Sequence, residues 1–242
     1  ISHKLPEALA VADRITLMRR GAIVHSLVRD EADVERLARL MVGDQPVLGE
    51  RKAVDDRGFA FEVSGVCVTD DRGAQVLDDV SFAVRRGEIV GVAGVAGNGQ
   101  RELAEVLTGV RRPDRGRVVV AGDDMTGRSP REFARAGVGY VPEDRRETGL
   151  AGSESIWRNA VLRRYRQPPI GRGPLIRGKA ARKFAAELVE DVRLSTKNLD
   201  APVTALSGGH AQRLLTGREL GIASHGLVLA YPTRGLDVGA VA

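Results

Sequence analysis

The sequence predicts an α/β protein, and three stretches carry that reading. Residues 89–93, Ile-Val-Gly-Val-Ala, have a buried-strand pattern and run into a glycine-rich loop, Gly94-Val95-Ala96-Gly97-Asn98-Gly99-Gln100-Arg101-Glu102, with a helix expected to about Gly109. Leu206-Ser207-Gly208-Gly209 stands ahead of a helix-like run to about Gly221. An apolar strand, residues 227–229, then leads into Ala230-Tyr231-Pro232-Thr233-Arg234-Gly235-Leu236-Asp237. Ser-Gly-Gly at a helix start offers a hydroxyl, exposed backbone amides and a positive helix end, which together suit a phosphate group.

Composition bounds the rest. With 242 residues, 43% hydrophobic and 29% charged, the chain can bury a sizeable core and is neither disordered nor fibrous. No apolar run approaches the roughly 20 residues of a membrane helix and no leader pattern is visible, so a cytoplasmic location is expected. The single Cys67 excludes an internal disulfide and a cysteine-built zinc site. The charge of +5 is spread along the chain, which fits solvated faces and argues against a nucleic-acid partner.

Taken in order, Val34, Leu37, Leu40 and Met41 recur at helical spacing before Gly43. Residues 44–58 lose the apolar pattern to Pro, Gly and charge and read as a linker. Residues 59–68 and 75–84 read as strands joined by the turn Asp70-Asp71-Arg72-Gly73. A short strand at 117–122 follows Pro113-Asp114-Arg115-Gly116, and a helix is expected at 131–136. Residues 156–165 and 178–192 read as helices, the second with Phe184, Leu188 and Val192 on one stripe. Between them, Pro168 to Pro174 is too rich in Pro and Gly for regular structure. Trp157 and Tyr165 are expected to serve packing or a subunit contact.

The order of these parts resembles the ATP-binding cassette (ABC) family, whose Walker A loop, signature motif, Walker B strand and D-loop follow one another as in the three stretches above, the third holding both strand and D-loop. The lead-in Val76-Leu77-Asp78-Asp79-Val80-Ser81-Phe82-Ala83-Val84-Arg85-Arg86-Gly87-Glu88 and the stretch Tyr140-Val141-Pro142-Glu143-Asp144-Arg145 add to it. The latter resembles the second cassette of simple-sugar and nucleoside importers of bacteria, in which one polypeptide fuses two cassettes. The resemblance implies a P-loop NTPase-like, RecA-like core with an antiparallel β subdomain and a helical signature subdomain. It divides the chain into the end of a first cassette (1–43), closed by a helix and a hairpin over residues 12–24, the linker (44–58) and a second cassette (59–242) closing after the D-loop. On this reading the front of the first cassette precedes Ile1, and the chain ends before a switch histidine of its second cassette.

The departures from the family pattern are as informative as the matches. A Walker A loop needs glycines whose amides wrap phosphate, a Lys for the β/γ oxygens and a Ser/Thr for magnesium. Here the glycines Gly94, Gly97 and Gly99 flank Asn98, but Gln100 stands at the Lys position and Arg101 and Glu102 replace the hydroxyl pair. Glu143 takes the place of the magnesium-contacting Gln. Ala230 and Tyr231 stand where Walker B has its metal-holding Asp and catalytic Glu, and no aromatic residue after the first strand is available to stack on adenine. Ser207, Gly208 and Gly209 are intact. His3 matches the switch histidine of the first cassette and Asp237 the D-loop residue.

The resemblance therefore implies that this cassette lends its signature loop to ATP and Mg2+ held by the first cassette, while its own site is degenerate and the isolated segment is not an ATPase. The implied partners are the first cassette, membrane permease subunits and, indirectly, a substrate-binding protein, at the cytoplasmic face of the membrane. The alternative is a non-catalytic scaffold that only docks the permease. The transported substrate is not legible.

Overall fold

The computed structural model describes residues 5–19, 22–42, 58–95, 97–172, 175–196 and 198–233. These divide into two compact units, residues 5–42 belonging to one and residues 58–232 to the other. In the smaller unit, α1 (Leu5–Val11) precedes the antiparallel hairpin of β1 (Arg14–Arg19) and β2 (Ala22–Val28), and α2 (Val34–Val42) closes it. Leu5, Ile15, Leu17, Leu27 and Leu37 form its core. The hairpin and α2 follow the sequence expectation.

The larger unit opens with two long strands, β3 (Phe59–Thr69) and β4 (Gln75–Arg85), joined by the expected Asp70 turn. The Asp70 carboxylate accepts from the Arg72 and Ala74 amides, each at 2.9 Å, and these bonds hold it below its ordinary pKa. After α3 (Gln100–Val106), β5 (Arg115–Val120) and the two-residue β6 (Asp123–Asp124) complete an antiparallel sheet in the order β4-β3-β5-β6. α4 (Pro130–Arg135) starts on a capping box between Ser129 and Glu132, with Pro130 at the first helical position. β7 (Val138–Val141) follows.

The helical part comprises α5 (Ile156–Val161), the short strands β8 (Gly171–Arg172) and β9 (Leu175–Ile176), α6 (Gly178–Asp191) and α7 (Gly208–Leu220). β10 (Gly226–Leu229) then pairs in parallel with β7, Gly226 opposite Val138 and Leu229 opposite Val141. One apolar cluster fills the space under the antiparallel sheet, where Val66, Val68, Val118 and Val120 meet Leu103, Val106 and Val138. A second joins Ile156, Leu188, Leu214 and Leu215 between the helices, and Phe184 and Val192 pack against it as the stripe on α6 predicts.

Two expectations are corrected. Residues 89–93 are not a strand: no β-pairing holds them among the described residues, and Ile89 and Val92 are exposed, at 88% and 58%. An apolar run becomes a strand only where a neighbour supplies the ladder hydrogen bonds, and here none does. The Pro- and Gly-rich stretch at 168–174, expected to be irregular, contributes Gly171 and Arg172 to a small hairpin in which they pair with Ile176 and Leu175. β7, a four-residue strand on the stretch Val-Gly-Tyr-Val, is regular structure that the sequence pattern does not announce.

What fixes α7 in place is a buried polar network. Glu219 is fully buried; its Oε1 accepts from Arg218 Nε at 2.8 Å and its Oε2 from the Tyr140 amide at 3.1 Å. The buried Arg218 donates through Nη2 to the Gly149 carbonyl at 2.8 Å and through Nη1 to the Asn159 carbonyl at 3.4 Å. Asn159, also fully buried, accepts from the Ala151 amide at 2.8 Å and donates to the Ala151 carbonyl at 3.0 Å. One helix is thereby bonded to β7, to the turn after it and to α5. Removing one member of a buried charge pair strands the other, which costs about 3–5 kcal/mol. Urea denaturation of Arg218→Met is expected to show a loss of about that size, and the double variant R218M/E219Q is expected to recover part of it.

Candidate functional site

The glycine-rich loop turns directly into α3. Gly99 is its N-cap in the left-handed region (φ 89°), and a Cβ there would collide with the Val76 carbonyl and lie 2.8 Å from Leu77 Cδ2. Only glycine allows the loop to lie this close to β4. Gly97 also has a positive φ of 91°, and the Asn98 amide donates to the Val95 carbonyl at 3.2 Å. The sequence-predicted loop and helix start are thus in place, with α3 ending at Val106 rather than Gly109.

Gln100 does not reach out of the loop. Its side-chain amide turns back, Nε2 donating to the Val95 carbonyl at 3.0 Å and lying against Gly94, where a Cβ would strike it. Arg101 turns the other way and pairs with Glu105 at 2.8 Å, one helical turn on. Arg111 bonds the second oxygen of the same carboxylate, also at 2.8 Å. Burial of Glu105 raises its pKa, but the hydrogen bonds from Arg111 and Arg101 outweigh burial and hold the carboxyl below its ordinary value. The Tyr140 hydroxyl is pushed up, by burial first and then by the Glu105 carboxylate. Glu102 is half-buried on the same helix.

At the carboxyl end of the parallel pair, the Ala230 amide donates to the Val141 carbonyl at 2.9 Å, so Ala230 and the start of Pro142-Glu143 lie together. Ala230 is half-buried; Tyr231 takes a left-handed backbone conformation (φ 47°) and is 45% exposed. Glu143 is half-buried. The neighbouring Asp144 shapes the backbone locally. Its carboxylate accepts from the Glu147 and Arg146 amides at 3.0 and 2.8 Å, bonds that lower its pKa and cap a single wide turn at Arg145–Gly149. That turn ends at Gly149, whose carbonyl Arg218 holds.

Ser207 is the N-cap of α7, its Oγ accepting from the His210 amide at 3.3 Å. Gly208 and Gly209 form the first turn of this 13-residue helix, where backbone N–H groups have no partner within the helix. Ser207 is exposed and both glycines are half-buried. His210 is half-buried and Gln212 buried. His3 and Asp237 lie outside the described residues. Among the described residues, no group of three or more His, Cys, Asp or Glu side chains is placed to hold a metal ion.

Comparison with known proteins places this arrangement. The sequence profile of the family described as "ABC transporter" matches residues 77–229, from β4 through the loop, α7 and β10. The chain belongs to the ABC transporter family. It is 42% identical over 244 residues to the glucose import ATP-binding protein TsgD13 of Haloferax volcanii, covering 100% of this chain and 44% of that protein. It is 36% identical over 242 residues to the nucleoside import ATP-binding protein NupA of Lactococcus lactis, covering 100% of this chain and 48% of the relative. The ribose import ATP-binding protein RbsA of a Chelativorans strain is 34% identical over 244 residues, with 99% and 46% covered. This chain therefore spans under half the length of the curated relatives it matches.

In fold, it is similar to the ATP-binding cassette MJ0796 in a dimeric, post-hydrolysis state bound to ADP and Pi (TM-score 0.63, 22% identity, 74% of this chain and 77% of the other). A nucleotide-free cassette from an ABC transporter gives a TM-score of 0.61 at 22% identity, covering 76% and 73%. The ABC cassette fold expected from the order of motifs is the fold observed.

The charged layer behind the loop is only partly visible in the sequence. The i, i+4 spacing of Arg101 and Glu105 is a usable signal, whereas Arg111 meets Glu105 only through the turn that follows the helix. Because Glu105 is held ionised, its contribution to stability is complete above the ordinary carboxylate range and is lost as pH falls through its lowered value. Glu105→Gln is expected to cost roughly 1–3 kcal/mol at neutral pH. The difference from the parent should shrink as pH falls below about 4, as followed by denaturation across pH.

Proposed function

We propose that this chain is the second-cassette portion of the ATP-binding subunit of a simple-sugar or nucleoside importer, and that it works by lending its signature loop to ATP bound on the first cassette. The observation that carries this reading is the contrast between two loops. Ser207, Gly208 and Gly209 present a hydroxyl and the positive end of a 13-residue helix, a set of donors that fits a phosphate. Gln100 instead closes the Gly94 loop on itself through Val95, and neither a Lys nor a hydroxyl residue stands behind it.

The residues of this second site do not fit Mg-ATP. A neutral amide cannot replace the ammonium group at the β/γ oxygens, Glu102 adds negative charge beside them, and Ala230 and Tyr231 offer no carboxylate at the strand end. No chemical step is therefore routed through it. At the competent site of the intact protein, bound ATP and Mg2+ supply the phosphoryl group and its charge neutralisation. This chain's share is to hold the γ-phosphate side with the Ser207 hydroxyl and the Gly208 and Gly209 amides. Asp237 and His3, each assigned through its family motif, are proposed to serve the same site.

The restricted span of the chain relative to TsgD13, NupA and RbsA supports a fused two-cassette protein, with permease subunits as membrane partners and a substrate-binding protein upstream of them. The subunit would sit at the cytoplasmic face of the membrane. Among the described residues no helix is long and apolar enough to cross it. The domain division proposed is 1–43, 44–58 and 59–242.

The test uses the full two-cassette subunit with its permease. Ser207→Ala is expected to lower ATP turnover by roughly 10²-fold, the scale of losing one preorganised donor to a developing negative charge, while Gln100→Ala leaves turnover within about twofold. Undiminished turnover in Ser207→Ala would contradict signature donation and leave only a scaffold role for this cassette.

A further inference from the structure

The charge is not spread evenly, contrary to the sequence expectation: residues 156–186 contain nine Lys or Arg and no Asp or Glu, in a chain whose net charge is only +5. The structure gathers part of this charge at one tip. The Gly171 amide donates to the Gln167 carbonyl at 2.9 Å and the Arg177 amide to the Ile170 carbonyl at 2.7 Å. These bonds lay the β8–β9 hairpin beside the turn that follows α5. The tip carries Arg166, Arg172, Arg177 and Lys179, all exposed, and among the described residues none of the four has a carboxylate within 4.0 Å.

The same tip exposes apolar side chains. Leu175 is 73% and Ile176 48% exposed, and Tyr165 is exposed beneath the Arg166 guanidinium, which stands 5.2 Å from its ring centre. The charge also runs against the preference of α6. Lys179, Arg182 and Lys183 lie in its N-terminal half, where the helix dipole is already positive, while Glu187, Glu190 and Asp191 lie toward its C-terminus. This order weakens the isolated helix; Arg182 pairs with Asp200 at 2.8 Å and Lys183 with Glu187 at 3.8 Å, which leaves Lys179 beside the exposed cations of the hairpin.

We propose that the β8–β9 tip is a peripheral membrane contact that binds anionic phospholipid headgroups through Arg166, Arg172, Arg177 and Lys179 and sinks Leu175 and Ile176 into the headgroup–acyl boundary. Exposed cations beside two exposed aliphatic side chains and a tyrosine are the combination that suits a charged interface over an apolar interior. A nucleic-acid backbone would use the charge and leave Leu175 and Ile176 in water. The proposal does not draw on the nucleotide-site reading, because it is measured without nucleotide.

The experiment is sedimentation of the full chain with phosphatidylcholine vesicles containing about 30 mol% phosphatidylglycerol, and with pure phosphatidylcholine, near physiological salt. Binding to the anionic vesicles alone is expected. The triple variant R166E/R172E/R177E, confirmed as folded by an unchanged melting temperature, is expected to lower the partition coefficient by about 100-fold or more. L175S/I176S should lower it severalfold with all charges kept. If the triple variant does not fold, Arg172→Glu alone, on an exposed hairpin position, should still reduce binding about fivefold. Equal binding to neutral vesicles, no binding to either, or binding unchanged by charge reversal would overturn the proposal. So would capture by duplex DNA that L175S/I176S leaves untouched, which would assign the tip to nucleic acid, or capture by polyglutamate without vesicle binding, which would assign it to an acidic protein.

Discussion

The fold of the larger unit depends on one buried ion pair. Arg218 and Glu219 are adjacent on α7, and between them they reach the Tyr140 amide, the Gly149 carbonyl and the Asn159 carbonyl. A charge pair removed from water is tolerated only when its remaining donors and acceptors are satisfied, and here the backbone of three separate segments satisfies them. Consequently the helix that begins at Ser207 cannot shift without breaking bonds to β7 and to the turn capped by Asp144. The helix after Ser207, the strand leading to Glu143 and α5 thus share one buried polar centre.

The two glycine loops of the chain differ in their local bonds. Both combine glycine with a helix start, yet α7 begins under a serine cap, whereas the side chain of Gln100 bonds back into the loop before α3. Behind that loop, Arg101 and Arg111 share the single carboxylate of Glu105, so both guanidinium groups are engaged with it. The proposed division of labour, one loop donating and the other retired, rests on the inward turn of Gln100 and on the absence of a lysine there, with the Arg101–Glu105–Arg111 cluster tied up within the fold.

Most of the architecture is legible from local signals. The strands at 59–69 and 75–85, the Asp70 turn, the helices α2, α4 and α6 and the strand at 226–229 follow from alternation, helical stripes and turn residues, all of which act within about ten residues. The failures share a cause. Residues 89–93 have the composition of a buried strand, but pairing is a property of a neighbour and not of the run itself. The β8–β9 hairpin forms between Pro- and Gly-rich residues because the turn after α5 offers the Gln167 carbonyl to it. At the site, the loop glycines, Ser207 and the absence of lysine are visible in the sequence. The inward turn of Gln100 and the Glu105 layer are not, because they depend on which carbonyl and which guanidinium the fold brings within reach. His3 and Asp237 are assigned by motif and lie outside the described residues.

The central claim is that this cassette gives its signature loop away while its own loop no longer holds nucleotide. Titration calorimetry of the purified chain with ATP in the presence of Mg2+, and with ADP, tests it most directly. Absent or very weak binding of both nucleotides is the predicted result. Tight, magnesium-dependent binding would contradict it, since it would require Gln100, Ala230 and their neighbours to hold phosphate and metal by contacts other than those described.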